Sequence, residues 1–154
     1  MKILLTDPQS TLAFGASLAK KLPRKGVVFL HGPLGAGKTT LVRGLLQAAG
    51  HQGSTKSPTY TLVEPYKIEN RKFYHFDFYR ISDPEELEYM GIRDYLHENA
   101  LCLIEWPEKG EDFLPKADLE LSLRYEGEQR SIKLKVNNPQ WRQLLDENEL
   151  IQGL

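Results

Sequence analysis

The chain is poor in the residues that build disulfides and metal cages. Its 154 residues include one cysteine, Cys102, set inside the apolar run Ala100-Leu101-Cys102-Leu103-Ile104. A single thiol makes no disulfide within the chain and no cysteine zinc site, so it reads as buried and inert. The four histidines have no cysteine partners, and none is spaced as H-E-x-x-H. No apolar run approaches the roughly 20 residues of a membrane span. Met1 to Asp7 lacks the apolar centre of a signal peptide. Surplus charge is missing as well: 20 Lys+Arg against 21 Asp+Glu leave a formal net charge of -1. That gives no electrostatic case for a standalone nucleic-acid binder. No internal repeat or low-complexity linker divides the chain. The reading is a cytoplasmic protein with no membrane segment. It has one domain over residues 1–154, a hydrophobic fraction of 40% and enough length for a core.

What is present is Gly32-Pro33-Leu34-Gly35-Ala36-Gly37-Lys38-Thr39. It fits G-x-x-x-x-G-K-[ST], the phosphate-binding P-loop. Gly26 to His31 before it is a short apolar run and predicts a buried strand. Thr40 to Ala49 after it has apolar residues at helical spacing and stops at Gly50. The glycines therefore stand between a strand and a helix, as the motif requires. They let backbone N–H groups approach phosphate oxygens, and the helix N-terminus adds positive potential. Gly35, Ala36, Gly37, Lys38, Thr39 and Thr40 are the candidate nucleotide-binding residues. Lys38 can reach the β- and γ-phosphates, and the Thr39 hydroxyl can ligate Mg²⁺. The competing reading is a glycine turn that happens to carry a lysine.

The rest of the chain predicts a mixed α/β domain. Ile3 to Leu5 reads as a strand, and Pro8 to Leu22 as a helix with Asp7 as N-cap. His51 to Tyr60 is a polar loop. Thr61–Ile68 and Lys72–Tyr79 read as a hairpin across Glu69-Asn70-Arg71. Pro65 has no N–H, so the first of these strands should be an edge or carry a bulge. Ser82-Asp83-Pro84-Glu85-Glu86 starts a helix that Gly91 should break in two. Leu101 to Ile104 predicts a second buried strand. Leu119–Tyr125 and Ile132–Val136 alternate with polar residues and read as two antiparallel strands with one wet face, on which Lys133 and Lys135 are solvated. One helix over about Trp141 to Ile151, anchored by Trp141, should end the chain. The fold expected is a single P-loop domain: a mixed central sheet flanked by helices, with antiparallel hairpin additions.

Three further segments bear on chemistry. Glu105 ends the buried run Leu101 to Ile104, where a P-loop protein places the acid that holds Mg²⁺; the bland alternative is a strand end turning into solvent. In His75-Phe76-Asp77-Phe78-Tyr79-Arg80, residues 75, 77 and 79 share one strand face. Asp77 can orient water or ligate metal and Arg80 can meet a phosphate or a partner, unless this is only a wet strand face. Ser57-Pro58-Thr59-Tyr60-Thr61 lies where many P-loop proteins sense the γ-phosphate, though its composition also suits a plain loop. Trp106 is either core or a contact near the nucleotide. No downstream [NT]-K-x-D appears, which favours ATP over GTP.

Together, Gly35 to Thr40, Lys56 to Glu64, His75 to Arg80, Asp83 to Glu88 with Gly91 to Tyr95, and Ile104-Glu105-Trp106 resemble the TsaE (YjeE) family. The likeness is dense from Leu30 to Pro107. It implies a Mg²⁺-dependent ATPase supporting the threonylcarbamoyl (t⁶A) modification of adenosine 37 in tRNAs that read ANN codons. It implies the TsaD and TsaB proteins as partners, with tRNA met through that complex. It also implies Thr39 and Glu105 as Mg²⁺ positions, and Asp77, Lys38 and Glu105 as the catalytic set. Two other classes compete: a small-molecule kinase, which needs an acceptor pocket and a lid, and a nucleotide-gated binding module whose hydrolysis is incidental.

Overall fold

The apolar strands on either side of the P-loop form the middle of one seven-stranded sheet. The computed structural model describes residues 2–154. In chain order the strands are β1 (Lys2–Leu5), β2 (Gly26–His31), β3 (Val63–Ile68), β4 (Arg71–Asp77), β5 (Leu101–Glu105), β6 (Leu119–Glu126) and β7 (Gln129–Val136). The sheet runs β1-β7-β6-β2-β5-β4-β3. The central strands β4, β5, β2 and β6 pair in parallel. The outer pairs β3–β4, β6–β7 and β1–β7 are antiparallel. Pro65 lies on β3, an edge strand, where a missing N–H leaves no ladder bond unmade.

Side-chain alternation sorts the two faces. Val28 and Leu30 of β2, Leu101 and Leu103 of β5, Phe73 of β4 and Leu119, Leu121 and Leu123 of β6 share one core. It is covered by α1 (Pro8–Lys21) and α2 (Lys38–Ala49), with the short α5 (Pro139–Arg142) and α6 (Glu147–Gln152) closing its end. Tyr74, Phe76, Cys102 and Ile104 point the other way, into a smaller core under α3 (Glu86–Met90) and α4 (Ile92–His97). By the same alternation His75, Asp77 and Glu105 fall on the face that carries α2.

Two glycines set how closely α1 and α2 approach. A Cβ on Gly15 would stand 2.1 Å from the Leu41 carbonyl oxygen, and one on Gly44 would stand 2.2 Å from that of Leu12. The helices thus meet backbone to backbone, which seats α2 firmly behind the P-loop. Asp7 caps α1, its carboxylate accepting from the Ser10 N–H at 2.8 Å. Gly50 ends α2 in the left-handed region at φ 117°.

The structure departs from the sequence reading at several ends. The single helix expected over Trp141 to Ile151 is two short ones. Asp146 is extended between them and its side chain accepts from the Asn148 N–H, which restarts the helix there. The break lets Trp141, Leu145 and Leu150 all reach the core. Thr61 and Leu62 belong to a turn rather than to β3, and Leu62 takes φ 69°. Strand β4 stops at Asp77, so Tyr79 leaves the predicted alternation. A 3-10 helix over Pro107–Phe113 stands where no element was predicted. Lys133 and Lys135 are solvent-exposed, and Trp141 is buried, both as expected. Among the described residues no helix is long and apolar enough to cross a membrane.

Candidate active site

The P-loop turns from β2 into α2 through three glycines with positive φ, Gly32 at 146°, Gly35 at 78° and Gly37 at 107°. A side chain at Gly35 would also press on Tyr125, with its Cβ 2.8 Å from the phenol oxygen. Gly37 is the residue before α2, and no side chain caps the helix there. The first amides of α2 are left for an incoming anion, and the helix dipole favours negative charge at that end.

Beside this turn is a cleft of about 380 Å³, lined by Gly35, Gly37, Lys38, Thr39, Thr40, Thr59, Asp77 and Glu105 among others. Seven of the eight residues singled out as candidates meet there. Ala36 is the exception: its methyl is fully buried in the core, so only its backbone is available to a ligand. Both acids come from adjacent parallel strands and are register neighbours, Asp77 on β4 beside Glu105 on β5. Thr39 Oγ1 donates to Glu105 Oε2 at 2.9 Å. Asp77 accepts from the Tyr79 N–H at 2.9 Å and from Thr59 Oγ1 at 3.1 Å. The second of these ties the 57–61 loop to the cleft.

The charges here are held out of water. Lys38 and Asp77 are each only 4% exposed. Burial pushes the Lys38 ammonium below its ordinary pKa, while the carboxylates of Glu105, Asp77 and Glu108 pull it back up. Burial pushes the Asp77 carboxyl above its ordinary pKa. The Tyr79 N–H opposes that shift, and the neighbouring Glu105 charge adds to it. Buried acids and amines perturbed in this way cluster at functional sites, and a phosphate anion with its cation is the ligand that a P-loop implies. The donor set suits that ligand: a lysine and free amides for phosphate oxygens, and hard oxygens at Thr39, Asp77 and Glu105 for Mg²⁺. Thr39 gives its hydrogen to Glu105 and keeps oxygen lone pairs for a cation. Mg²⁺ is commonly bound by one or two carboxylates together with substrate phosphates, rather than by an all-protein cage. The residues fit the group.

Some of the arrangement was missed by the sequence reading. His75, on a strand face that the sequence leaves open between a functional and a solvated one, is fully buried, and its Nε2 lies 2.6 Å from Glu105 Oε2. Trp106, left between two roles, lines the cleft, and Lys38 Nζ sits 3.6 Å from its ring centre. Lys38 also donates to the Gly32 carbonyl. Trp106 holds this position in the left-handed region at φ 57°, an uncommon conformation for an aromatic residue. Arg80 lines the same cleft as the P-loop residues. It stacks 4.2 Å over the Tyr60 ring and donates to the Tyr60 hydroxyl. The β6–β7 hairpin also touches the P-loop: the Tyr125 hydroxyl donates to the Leu34 carbonyl, and Arg130 stacks on Tyr125. Alternation along β6 marks which residues face the core, but carries no signal that the hairpin's tip meets a loop so far off in sequence.

The model of the family described as threonylcarbamoyl adenosine biosynthesis protein TsaE matches residues 5–132. The chain is 53% identical over 135 residues to the tRNA threonylcarbamoyladenosine biosynthesis protein TsaE of Haemophilus influenzae, covering 84% of this chain and 85% of that one. It is 31% identical over 148 residues to the Bacillus subtilis protein of the same name, covering 96% and 92%. The crystal structure of Bacillus subtilis YdiB superposes with a TM-score of 0.81 at 27% identity, over 99% of this chain and 94% of that one. The buried acids at the mouth of a P-loop cleft, the mixed sheet that carries them and these matches agree: the chain belongs to the TsaE family of tRNA threonylcarbamoyladenosine biosynthesis proteins.

Proposed function

We propose that this protein binds ATP with Mg²⁺ in the P-loop cleft and hydrolyses it, and that hydrolysis supports t⁶A synthesis on tRNA together with the TsaD and TsaB proteins. One observation carries the reading: Lys38, Thr39, Asp77 and Glu105 converge from α2, β4 and β5 on the open end of the P-loop. Backbone amides of the 35–40 turn and the Lys38 ammonium bind and orient the phosphates, and they stabilise charge that grows as the terminal phosphoryl group leaves. Thr39 and Glu105 would hold Mg²⁺, which when bound supplies positive charge to the phosphate oxygens. Asp77, with Thr59 donating to it, is placed to orient a water molecule for in-line attack. Burial of Lys38 and Asp77 strengthens each of these interactions, because little water screens them. The cation–π contact with Trp106 keeps Lys38 in the cleft before a phosphate arrives.

The family's role in t⁶A synthesis supports the link to tRNA, and its partner proteins enter on the same ground. Phosphate release from ATP by the purified protein, with no acceptor added, tests the chemistry. It should require Mg²⁺, and it should be measured alone and with TsaD, TsaB and tRNA while t⁶A is followed over many cycles. Transfer of the phosphoryl group to a small molecule in preference to water would replace this reading with a kinase. Full multi-cycle t⁶A synthesis by a variant that binds ATP but does not hydrolyse it would reduce the nucleotide to a gate.

A further inference from the structure

We propose that His75 is a positioning residue for Glu105. Its Nε2–H holds one carboxylate oxygen so that the other is presented to the nucleotide cleft. The proposal rests on the reading of Glu105 as the acid that serves Mg²⁺ and nucleotide.

The ring of His75 is fully buried, its partner Glu105 is 3% exposed, and the two meet at 2.6 Å. A carboxylate only accepts hydrogen bonds, so Nε2 carries the hydrogen. The other ring nitrogen, Nδ1, is buried with no hydrogen-bond partner among the described residues. A buried polar atom without a partner costs free energy. A position needed only for packing has a cheaper solution on the same strand face: Phe73, two residues earlier, is an aromatic ring with no polar atom and is also fully buried. Histidine at 75 is accounted for by what its one bond does.

That bond acts on Glu105 together with a second. Thr39 Oγ1 donates to the same oxygen, Oε2. Three elements, α2, β4 and β5, thus converge on one atom. Oε1 is left without a protein donor among the described residues, in a side chain that lines the cleft. The last torsion of a glutamate is soft and close to two-fold, so an untethered carboxylate exchanges its oxygens readily. Two donors from different elements remove that freedom and keep Oε1 facing the ligand. Outer partners of this kind commonly change metal affinity or activity by 10- to 100-fold when removed.

The test uses two replacements. His75→Phe keeps a buried ring and removes the donor, whereas the amide of Gln in His75→Gln restores an N–H near Nε2. Mg²⁺-dependent turnover should fall about 10- to 100-fold in His75→Phe, with a higher Mg²⁺ requirement and unchanged Mg²⁺-free nucleotide affinity. His75→Gln should recover most of it. In a Glu105→Gln background, His75→Phe should add little, because its target is already neutral. A readout independent of turnover comes from nitrogen-15 NMR of the ligand-free protein. It should show the Nε2–H tautomer of His75 with a slowly exchanging proton, shifted in Glu105→Gln. An Nδ1–H tautomer, full turnover in His75→Phe, or effects that add in the double variant would overturn the proposal. If His75→Phe does not fold, the NMR signal and its shift decide by themselves. A wild type with no Mg²⁺-dependent turnover overturns the underlying reading and the proposal with it. Turnover in the wild type with an indifferent His75→Phe overturns the proposal alone.

Discussion

Asp77→Asn should make the ligand-free protein more stable while stopping its chemistry. The side chain is 4% exposed, and burial pushes its pKa upward from 3.8, with the Glu105 carboxylate adding to the shift. The sign follows from linkage. A carboxyl raised in the folded state contributes stability that is fully present below its unfolded pKa and is lost as pH rises through the folded one. At neutral pH the wild type therefore carries a buried charge that the amide does not. The amide oxygen can still accept from the Tyr79 N–H, and the Thr59 hydroxyl can turn to accept instead of donate. The expected gain is about 1 kcal/mol, the common scale of a single stabilising substitution. For a chain of this length that is a rise in Tm of about 2–4 °C. The gap between variant and wild type should narrow as pH falls below the folded pKa of Asp77 and close below its unfolded pKa, where the carboxyl is neutral in both states. Nucleotide binding should persist, while phosphate release drops by about 100-fold, the scale on which a small misplacement of a reacting group lowers a rate. Thermal melts from neutral to acid pH, paired with turnover, check both halves. An Asp77→Asn variant that melts below the wild type at neutral pH refutes the desolvation argument. One that hydrolyses ATP normally refutes the role at the cleft.

Glu105→Gln keeps shape and removes charge, so Mg²⁺-dependent turnover should fall at least about 10-fold while Mg²⁺-free nucleotide binding holds; unchanged turnover would leave Glu105 a mere strand end. Gly44→Ala puts a Cβ 2.2 Å from the Leu12 carbonyl oxygen. Overpacking of that kind costs about 1–3 kcal/mol, against the gain of about 1 kcal/mol alanine otherwise brings to a helix. Denaturant unfolding should show a net loss, and a more stable variant would mean the helices part easily. The Cys102 thiol is pushed up to about 12 by burial, so a thiol reagent at mild alkaline pH should label the unfolded protein and spare the native one; fast native labelling would contradict its burial.

Much of this site was legible because its parts are local. The P-loop is one contiguous segment, and its glycines are demanded by positive φ at residues 32, 35 and 37. Glu105 was legible because an acid after four apolar residues marks the end of a buried strand. Asp77 was found through its motif, but its burial was not, since alternation alone gives the same pattern whether the face is wet or covered by a helix. The His75–Glu105 bond joins residues 30 apart and depends on β4 and β5 lying side by side in one register. Sequence spacing carries no trace of that. The same limit hid the contact of Tyr125 with the P-loop, which comes from placing β6 beside β2. The single C-terminal helix failed for a local reason: Asp146 offers its own backbone a cap, and that competes with continuing the helix.

Calorimetric titration of a non-hydrolysable ATP analogue with Mg²⁺, into the wild type and into Lys38→Ala, tests the central claim most directly. The account predicts saturable binding to the wild type at one site. In Lys38→Ala that binding should be lost, with the fold and melting behaviour intact, because the one ammonium buried in the cleft is gone. Wild-type affinity in the folded Lys38→Ala variant would contradict it and remove the P-loop cleft as the nucleotide site.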